Sequence, residues 1–234
     1  MKIVFFTGSG ISQESGIPTF RDRFGIWENL DPMQVASIRA WRYNKEEVLK
    51  FHNQLRKLVI EVSPNAAHHY IAKLEKKHET IVITQNVDDL HHRAGSSNIV
   101  QLHGNILEVK SEDNPDFIQS WKNDLNEGDL APDGGQLRPN VVWFGEQLDS
   151  FLWNKSQRYI AECDVLVIIG TSLSVFPACE LVKKTSENCK IIVVDPNPNQ
   201  TFLSDKKIKL ISKSAVECLD ELDLILFYGS GHIH

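Results

Sequence analysis

The hydrophobic positions of this chain fall into short unbroken runs, separated by segments in which apolar residues recur at helical spacing. Four runs are candidate strands, at residues 3–6, 80–84, 165–169 and 190–194. They are rich in valine, isoleucine and phenylalanine without polar alternation, which is typical of strands buried on both faces. The pattern predicts an α/β fold, with a Rossmann-like parallel sheet that carries helices on both faces.

The segments between these runs predict the helices. Residues 46–62 place apolar side chains such as Val48 and Leu55 on one helical face. Ser63 and Pro64 then have the character of an N-cap and a first helical position, and so predict the start of a second helix. Three further segments are predicted to complete the helical cover: 150–163, 178–186 and 214–222.

Residues 111–136 interrupt this alternation. They contain seven Asp and Glu residues against Lys122 alone, together with two prolines and a Gly-Gly pair. We expect an insertion or a mobile loop here, outside the central sheet. The chain, 1–234, is therefore treated as one domain with two parts. The larger part is assigned to 1–20, 80–104 and 140–228, and a small irregular module to 21–79 and 105–139.

Composition narrows the classes of function. The formal net charge is −6 and no basic patch is present, which argues against nucleic acid or an anionic membrane as a partner. No run approaches the ~18 apolar residues that span a bilayer, and the N-terminus lacks a signal peptide, so a cytoplasmic location is expected. The cysteines have no metal-site spacing and are expected to be reduced and buried: Cys163, Cys179, Cys189 and Cys218.

The first strand ends in a glycine-containing turn. Gly8 and Gly10 would let the backbone approach a phosphate, although a plain tight turn explains them equally well, because the Gly-x-Gly-x-x-Gly fingerprint is incomplete. The residues that follow favour a ligand site. Arg21 could grip a phosphate or a carboxylate, and Phe20 could cover an aromatic ring.

Polar residues also follow the second strand. Asn86 and Asp88 alternate along a short extended piece, so that both could face one ligand at the carboxyl edge of the sheet; a helix cap is the alternative. His103 lies between an apolar run and Gly104. A structural histidine is the commoner reason for such a residue, but its near-neutral pKa also suits a general base.

Two later segments have the same character. Residues 137–146 form an apolar stretch that ends in Gly-Glu, either a core strand or a channel wall whose backbone pairs with an extended peptide. Residues 170–178 place small hydroxyl residues directly after another buried strand, at the same predicted crevice.

Taken in this order, the segments resemble the sirtuin family of NAD-dependent protein deacylases, from residue 3 to about residue 219. The family pattern Gly-Ala-Gly-x-Ser-x-x-Ser-Gly-Ile-Pro-x-Phe-Arg matches residues 8–21, with Ser9 in place of alanine. The other family motifs are Thr-Gln-Asn-(Ile/Val)-Asp at 84–88, His-Gly at 103–104, Phe-Gly-Glu at 144–146 and Gly-Thr-Ser-Leu-x-Val-x-Pro at 170–177.

The resemblance implies an NAD-dependent protein-lysine deacylase, most simply a deacetylase, that releases nicotinamide and O-acyl-ADP-ribose. The larger part of the chain would bind NAD, and His103 would take a proton from a ribose hydroxyl. The implied catalytic residues are His103, Asn86 and Asp88. The implied NAD-binding residues are Gly8, Ser9, Gly10, Ser12, Phe20, Arg21, Gln85, Gly170, Thr171, Ser172, Asp195 and Asn197. The acyl-lysine substrate would lie along Val142, Phe144, Gly145 and Glu146.

The chain departs from the family pattern in two places. Most sirtuins carry a four-cysteine zinc site after the His-Gly motif, whereas residues 105–143 contain no cysteine, so we predict that the protein binds no zinc. Desuccinylases of the family carry a Tyr and an Arg three residues apart, and the counterparts here are His52 and Leu55, with Arg56 one place off. Acidic acyl groups are therefore not expected as substrates, and the acidic insertion would attract a basic partner instead.

Two other functions remain open at this stage. An NAD glycohydrolase or an ADP-ribosyltransferase would use the same NAD site and pass the sugar to another acceptor. A catalytically silent NAD-binding module is the third hypothesis. Nicotinamide release that depends on an acyl-lysine peptide distinguishes the deacylase from the glycohydrolase or ADP-ribosyltransferase. Any nicotinamide release excludes the silent module.

Overall fold

The computed structural model describes residues 1–19, 31–173, 176–198 and 208–228. Its strands are β1 (Lys2–Thr7), β2 (Glu79–Thr84), β3 (Ile99–Gln101), β4 (Gly104–Ser111), β5 (Ile118–Ser120), β6 (Leu137–Val141), β7 (Val165–Ile169), β8 (Lys190–Val194) and β9 (Ile208–Ile211). Six of them form a parallel sheet in the order β3-β2-β1-β7-β8-β9. The predicted parallel sheet is confirmed, including all four candidate strands.

The helices are α1 (Gly10–Gln13), α2 (Pro32–Val35), α3 (Ile38–Tyr43), α4 (Lys45–Glu61), α5 (Ala66–Leu74), α6 (Leu90–Ala94), α7 (Ser150–Ala161) and α8 (Leu219–Phe227), with a 3₁₀ helix at Ala178–Lys184. The N-cap predicted at Ser63 is wrong. Asn65 caps α5 instead, because its side-chain oxygen accepts the amides of Ala67 and His68. In the described ranges, no helix is both long and apolar enough to cross a bilayer.

Each face of the parallel sheet buries its own hydrophobic core. One core joins Phe5 and Val167 to α5 and α8, and the other joins Phe6 and Ile168 to α7 and the 3₁₀ helix. Successive strand residues point to opposite faces, so an unbroken apolar strand supplies both cores at once. This is why β1, β2, β7 and β8 could be read directly from the sequence.

The segment expected to be an irregular insertion contains regular structure. β4 and β6 pair antiparallel, with β5 on the outer edge of β4. Leu125 and Ala131, which lie in the acidic segment, are buried in a third core against α4. The strand predicted over 137–146 ends at Val141, and the residues after it form a loop along the cavity.

The order of the strands sets the position of the site. From β1 the chain builds β2 and β3 on one side and returns to build β7, β8 and β9 on the other. The carboxyl ends of β1 and β7 are direct neighbours, with Thr7 opposite Ile169. This reversal of strand order opens a crevice at the carboxyl edge of the sheet, where open α/β sheets bind their ligands.

Candidate active site

A single cavity of about 400 Å³ occupies this crevice and extends between the parallel sheet and the small module. Its wall includes most residues singled out by sequence: Gly8, Ser9, Gly10, Gln85, Asn86, His103, Val142, Phe144, Gly145, Glu146, Gly170, Thr171, Ser172, Asp195 and Asn197. Ser12 and Asp88 are not on the wall. Phe20 and Arg21 lie outside the described residues, directly after Thr19, which does line the cavity.

The glycines of the first turn allow two backbone segments to touch. A Cβ on Gly10 would lie 2.6 Å from the Gly170 Cα atom, and a Cβ on Gly8 would lie 2.7 Å from the Gly170 carbonyl oxygen. The Gly10 amide also donates to that oxygen at 2.9 Å. Glycine is required at both positions because the turns after β1 and β7 pack against each other. This reason adds to the close approach of a phosphate that was expected from the sequence.

Behind the wall, Ser12 and Asp88 brace Asn86. The Ser12 hydroxyl donates to Asp88 Oδ2 at 2.9 Å. The side-chain amide of Asn86 donates to Ser12 Oγ at 3.2 Å and to the Gly8 carbonyl oxygen at 3.1 Å. Asp88 also accepts the backbone amide of Leu90 at 3.0 Å, but the N-cap residue of α6 is Asp89, whose side chain makes no capping hydrogen bond. Burial raises the pKa of Asp88, and these hydrogen bonds offset part of the rise.

His103 stands on the wall with its ring held in one orientation. Its Nδ1 atom lies 2.8 Å from the carbonyl oxygen of Gln85, which can only accept, so Nδ1 carries the proton and Nε2 keeps its lone pair. Burial lowers the pKa of His103, and the contact with Gln85 opposes that change only in part. The ring is therefore a neutral base at pH 7.

Gln85 links the ends of two strands. Its side-chain oxygen accepts the hydroxyl of Thr171 at 2.9 Å, and its amide donates to the carbonyl of Thr7. Its side-chain nitrogen is buried and has no hydrogen-bond partner among the described residues. A buried donor of this kind on a cavity wall offers a hydrogen bond to a ligand oxygen.

The 142–146 loop, which follows β6, forms another side of the cavity. The amide of Val142 donates to the carbonyl of His103, and Phe144 exchanges hydrogen bonds with Ala36 and Ile38 through its amide and its carbonyl. Gly145 has a φ of +92°, a conformation that favours glycine. Within the described part of the chain, the Val142 carbonyl and the Gly145 amide have no partner.

Helix α4 supplies another wall of the cavity. Phe51, His52 and Leu55 line it. The resemblance had already singled out His52 and Leu55 as positions that bear on acyl selectivity, whereas for Phe51 only a helix with one apolar face was predicted. His52 donates from Nδ1 to the Val48 carbonyl and accepts the Trp143 indole N–H at Nε2, and burial lowers its pKa to about 4. The side chains that α4 contributes to the cavity wall are thus uncharged at neutral pH.

The opposite end of the cavity lies beyond β8. Asp195 and Asn197 line it, and the Asp195 carboxylate accepts the amide of Asn197 at 2.7 Å in a tight turn. Ser214 and Ala215 were also missed as wall residues. The helix predicted over 214–222 begins only at Leu219, so the residues before it form the turn that reaches the cavity.

Hydrogen bonds tie the small module to helix α4. Asn53 of α4 accepts the amide of Leu125 at 2.9 Å and donates to its carbonyl at 3.0 Å. The guanidinium of Arg56 points away from the cavity, donating to the Ile106 carbonyl and to Asn53 Oδ1. Among the described residues, no group of three or more His, Cys, Asp or Glu side chains could hold a metal. The residues present therefore do not fit the four-cysteine zinc site.

Known proteins are similar to this chain over nearly its whole length. The sequence model of the Sir2 family matches residues 8–177. An NAD-dependent protein deacylase of Helicobacter pylori is 46% identical over 220 residues, which cover 94% of this chain and 95% of that protein.

Two solved structures share the fold. A Sir2 homologue in complex with NAD has a TM-score of 0.83 and 36% identity, over 94% of this chain and 87% of that one. A Sir2 mutant with deacetylated p53 peptide and 3'-O-acetyl ADP ribose has a TM-score of 0.83 and 29% identity, over 97% and 93%.

Proposed function

Since the chain belongs to the Sir2 family, we propose that it is an NAD-dependent protein-lysine deacylase that releases nicotinamide and O-acyl-ADP-ribose. One observation carries this proposal: a single continuous cavity joins the turn at Asp195 and Asn197, the neutral base His103 and the 142–146 loop. The related proteins support it, because one is named an NAD-dependent protein deacylase and another binds a deacetylated peptide with 3'-O-acetyl ADP ribose.

NAD would be consumed as a substrate along the carboxyl edge of the parallel sheet. The cavity, at about 400 Å³, is within the usual range for sites of organic ligands. Asp195 and Asn197 would meet the adenosine ribose. Gln85 and Asn86 would meet the nicotinamide end, with Asp88 and Ser12 orienting the Asn86 side chain. The remaining proposed NAD contacts are Gly8, Ser9, Gly10, Phe20, Arg21, Gly170, Thr171 and Ser172.

His103 would act as the general base. Its Nε2 lone pair is available because Nδ1 donates to Gln85, and its lowered pKa keeps the ring neutral at pH 7. In the proposed reaction the acyl oxygen bonds to the ribose carbon as nicotinamide leaves. His103 then takes a proton from a ribose hydroxyl, which attacks the acyl carbon. The lysine amine leaves that carbon and water adds to it, which gives free lysine and O-acyl-ADP-ribose.

The acyl-lysine peptide would pair with the 142–146 loop. The Val142 carbonyl and the Gly145 amide, which have no partner among the residues that the structure describes, would provide one acceptor and one donor for an extended backbone. The acyl group would lie toward Phe51, His52 and Leu55. These side chains present no positive charge at neutral pH, because the pKa of His52 is about 4. We therefore propose uncharged acyl groups, and acetyl first, as substrates.

The experiment that tests this proposal is nicotinamide release from NAD, with and without an acetyl-lysine peptide. Release that requires the peptide is the expected result. Equal release without peptide would instead establish an NAD glycohydrolase or an ADP-ribosyltransferase, which needs only the NAD end of the cavity. The absence of release under either condition would contradict both enzymes and leave an NAD-binding module.

A further inference from the structure

An ion pair closes the base of the 142–146 loop. Arg138, on β6, donates from both terminal nitrogens to the two carboxylate oxygens of Glu146, at 2.5 and 3.0 Å. The two side chains are only 9% and 15% exposed, so solvent screens the pair less than it would a surface pair. Arg138 also donates to the carbonyl of Val141, the last residue of β6.

Trp143 connects this pair to helix α4. Its amide donates to Glu146 Oε2 at 2.7 Å, and the Arg138 guanidinium lies 3.5 Å from the centroid of its indole ring. Its indole N–H donates to His52 Nε2 at 3.0 Å, and His52 in turn donates to the Val48 carbonyl. The contacts therefore run without a break from β6, through the loop, to the helix that forms the other wall of the cavity.

The carboxylate of Glu146 is fully engaged in this network. Burial alone would raise the pKa of Glu146, but the contacts with Arg138, the Trp143 amide and Lys110 together hold it below its usual value. The carboxylate is thus ionised at neutral pH and faces Arg138. Glu146 was expected to touch the substrate. It does line the cavity, and its geometry also suits a residue that shapes the loop for the substrate.

We propose that Arg138, acting through Glu146 and Trp143, is a positioning residue for the acyl-lysine substrate. The network holds the 142–146 loop so that the Val142 carbonyl and the Gly145 amide stay aligned for an extended peptide. It also fixes the distance between the loop and α4, which encloses the acyl group. The inference rests on the proposed deacylase function and names how its peptide site is built.

A pre-formed loop lowers the entropic cost of binding a peptide, whereas a mobile loop must be ordered at each binding event. Glu146→Gln keeps the shape of the side chain but places an amide against the guanidinium of Arg138. We expect the KM for an acetyl-lysine peptide to rise about tenfold or more, the scale of a lost charged hydrogen bond. The KM for NAD should change by less than about twofold, because Glu146 lies at the peptide end of the cavity.

Further variants separate positioning from a purely structural role. Arg138→Lys keeps the charge but loses the bidentate geometry, so it should raise the peptide KM by less than Arg138→Met. The double variant, Arg138→Met with Glu146→Gln, should raise the peptide KM no further than Arg138→Met alone, because both substitutions break the same contact. Tyr70→Phe is the control. It removes a hydrogen bond to Asp223 between α5 and α8, away from the cavity.

Hydrogen exchange provides a readout that does not depend on activity. In Glu146→Gln, the amides of Trp143 and Phe144 should exchange faster, while the strand amides of β1 should not. Unchanged loop exchange, or a peptide KM that stays at the wild-type value while the melting temperature falls as in Tyr70→Phe, would overturn the positioning role. A wild-type protein that deacylates no peptide would refute the proposed function instead, and loop exchange would still decide whether the network holds the loop.

Discussion

The carbonyl oxygen of Gln85 fixes the protonation of His103. Because a carbonyl only accepts, the 2.8 Å contact to Nδ1 places the ring proton there and leaves Nε2 unprotonated on the cavity wall. The same Gln85 accepts the hydroxyl of Thr171 through its side chain, so one residue orients the imidazole of His103 and ties β2 to the turn after β7. The ring is therefore oriented without any bound substrate.

Removing this base is the most direct test of its role. His103→Ala should lower deacylation by at least ~100-fold, the scale of a lost general base. Binding of NAD should be largely retained, as measured by calorimetry, because the turns at Gly8 and Asp195 remain intact. His92→Ala, an exposed histidine on α6, is the matched control. Near-normal turnover by the His103 variant would remove His103 from the mechanism.

The pH dependence of activity follows from the lowered pKa of His103. A base works in its deprotonated form, so activity is present above its pKa and is lost as pH falls through it. Burial places that pKa below the ordinary 6.5, and the acidic limb of kcat/KM should therefore have its midpoint below pH 6.5. A midpoint above 6.5 in a pH–rate profile would contradict the buried, neutral ring.

Acyl selectivity should follow the charge of the α4 wall. Succinyl-lysine should be a poorer substrate than acetyl-lysine, because the guanidinium of Arg56 donates to Ile106 and Asn53, away from the cavity, and so does not meet the succinyl carboxylate. Leu55→Arg introduces a cation on the cavity wall and should raise the ratio of succinyl to acetyl turnover by at least about tenfold, with Leu55→Met as control. Wild-type turnover of succinyl-lysine at the acetyl rate would contradict an uncharged acyl end.

The small module should not depend on a metal. Elemental analysis of the purified protein should find no stoichiometric zinc, and a chelator should leave the melting temperature unchanged. Asn53→Ala, which removes both contacts to Leu125, should destabilise the protein by about 1–3 kcal/mol. The exposed neighbour Gln54→Ala serves as control. Equimolar zinc in the wild-type protein would show that the hydrogen bonds alone do not hold the module.

The sequence predicted best where burial acts on both sides of a strand. β7 and β8 are unbroken apolar runs, and their predicted bounds are those observed. β4 and β5 were missed because polar residues interrupt their apolar patterns, and β5 is exposed along its whole length. The strand predicted through residue 146 ends at Val141, since Gly145 takes a positive φ and Glu146 turns back to Arg138.

The candidate site was predictable to the extent that it lies at strand ends. Asn86 and His103 follow parallel strands of the sheet, and parallel strands bring their carboxyl ends to one edge. His52 was singled out only through the resemblance, as a position that bears on acyl selectivity. Its contact with Trp143 and its place on the cavity wall come from the packing of α4, which the sequence does not show. Contacts between residues far apart in the sequence leave no recognisable pattern in either segment by itself.

The measurement that tests the account most directly is the product balance of a reaction with NAD and an acetyl-lysine peptide. Mass spectrometry and chromatography would quantify nicotinamide, deacetylated peptide and O-acetyl-ADP-ribose together. The account predicts that the three products form in equal amounts, and that the His103→Ala variant forms each of them far more slowly than the wild-type protein. Nicotinamide with free ADP-ribose and an unchanged acetylated peptide would contradict it, because the acyl group would then have no part in the reaction.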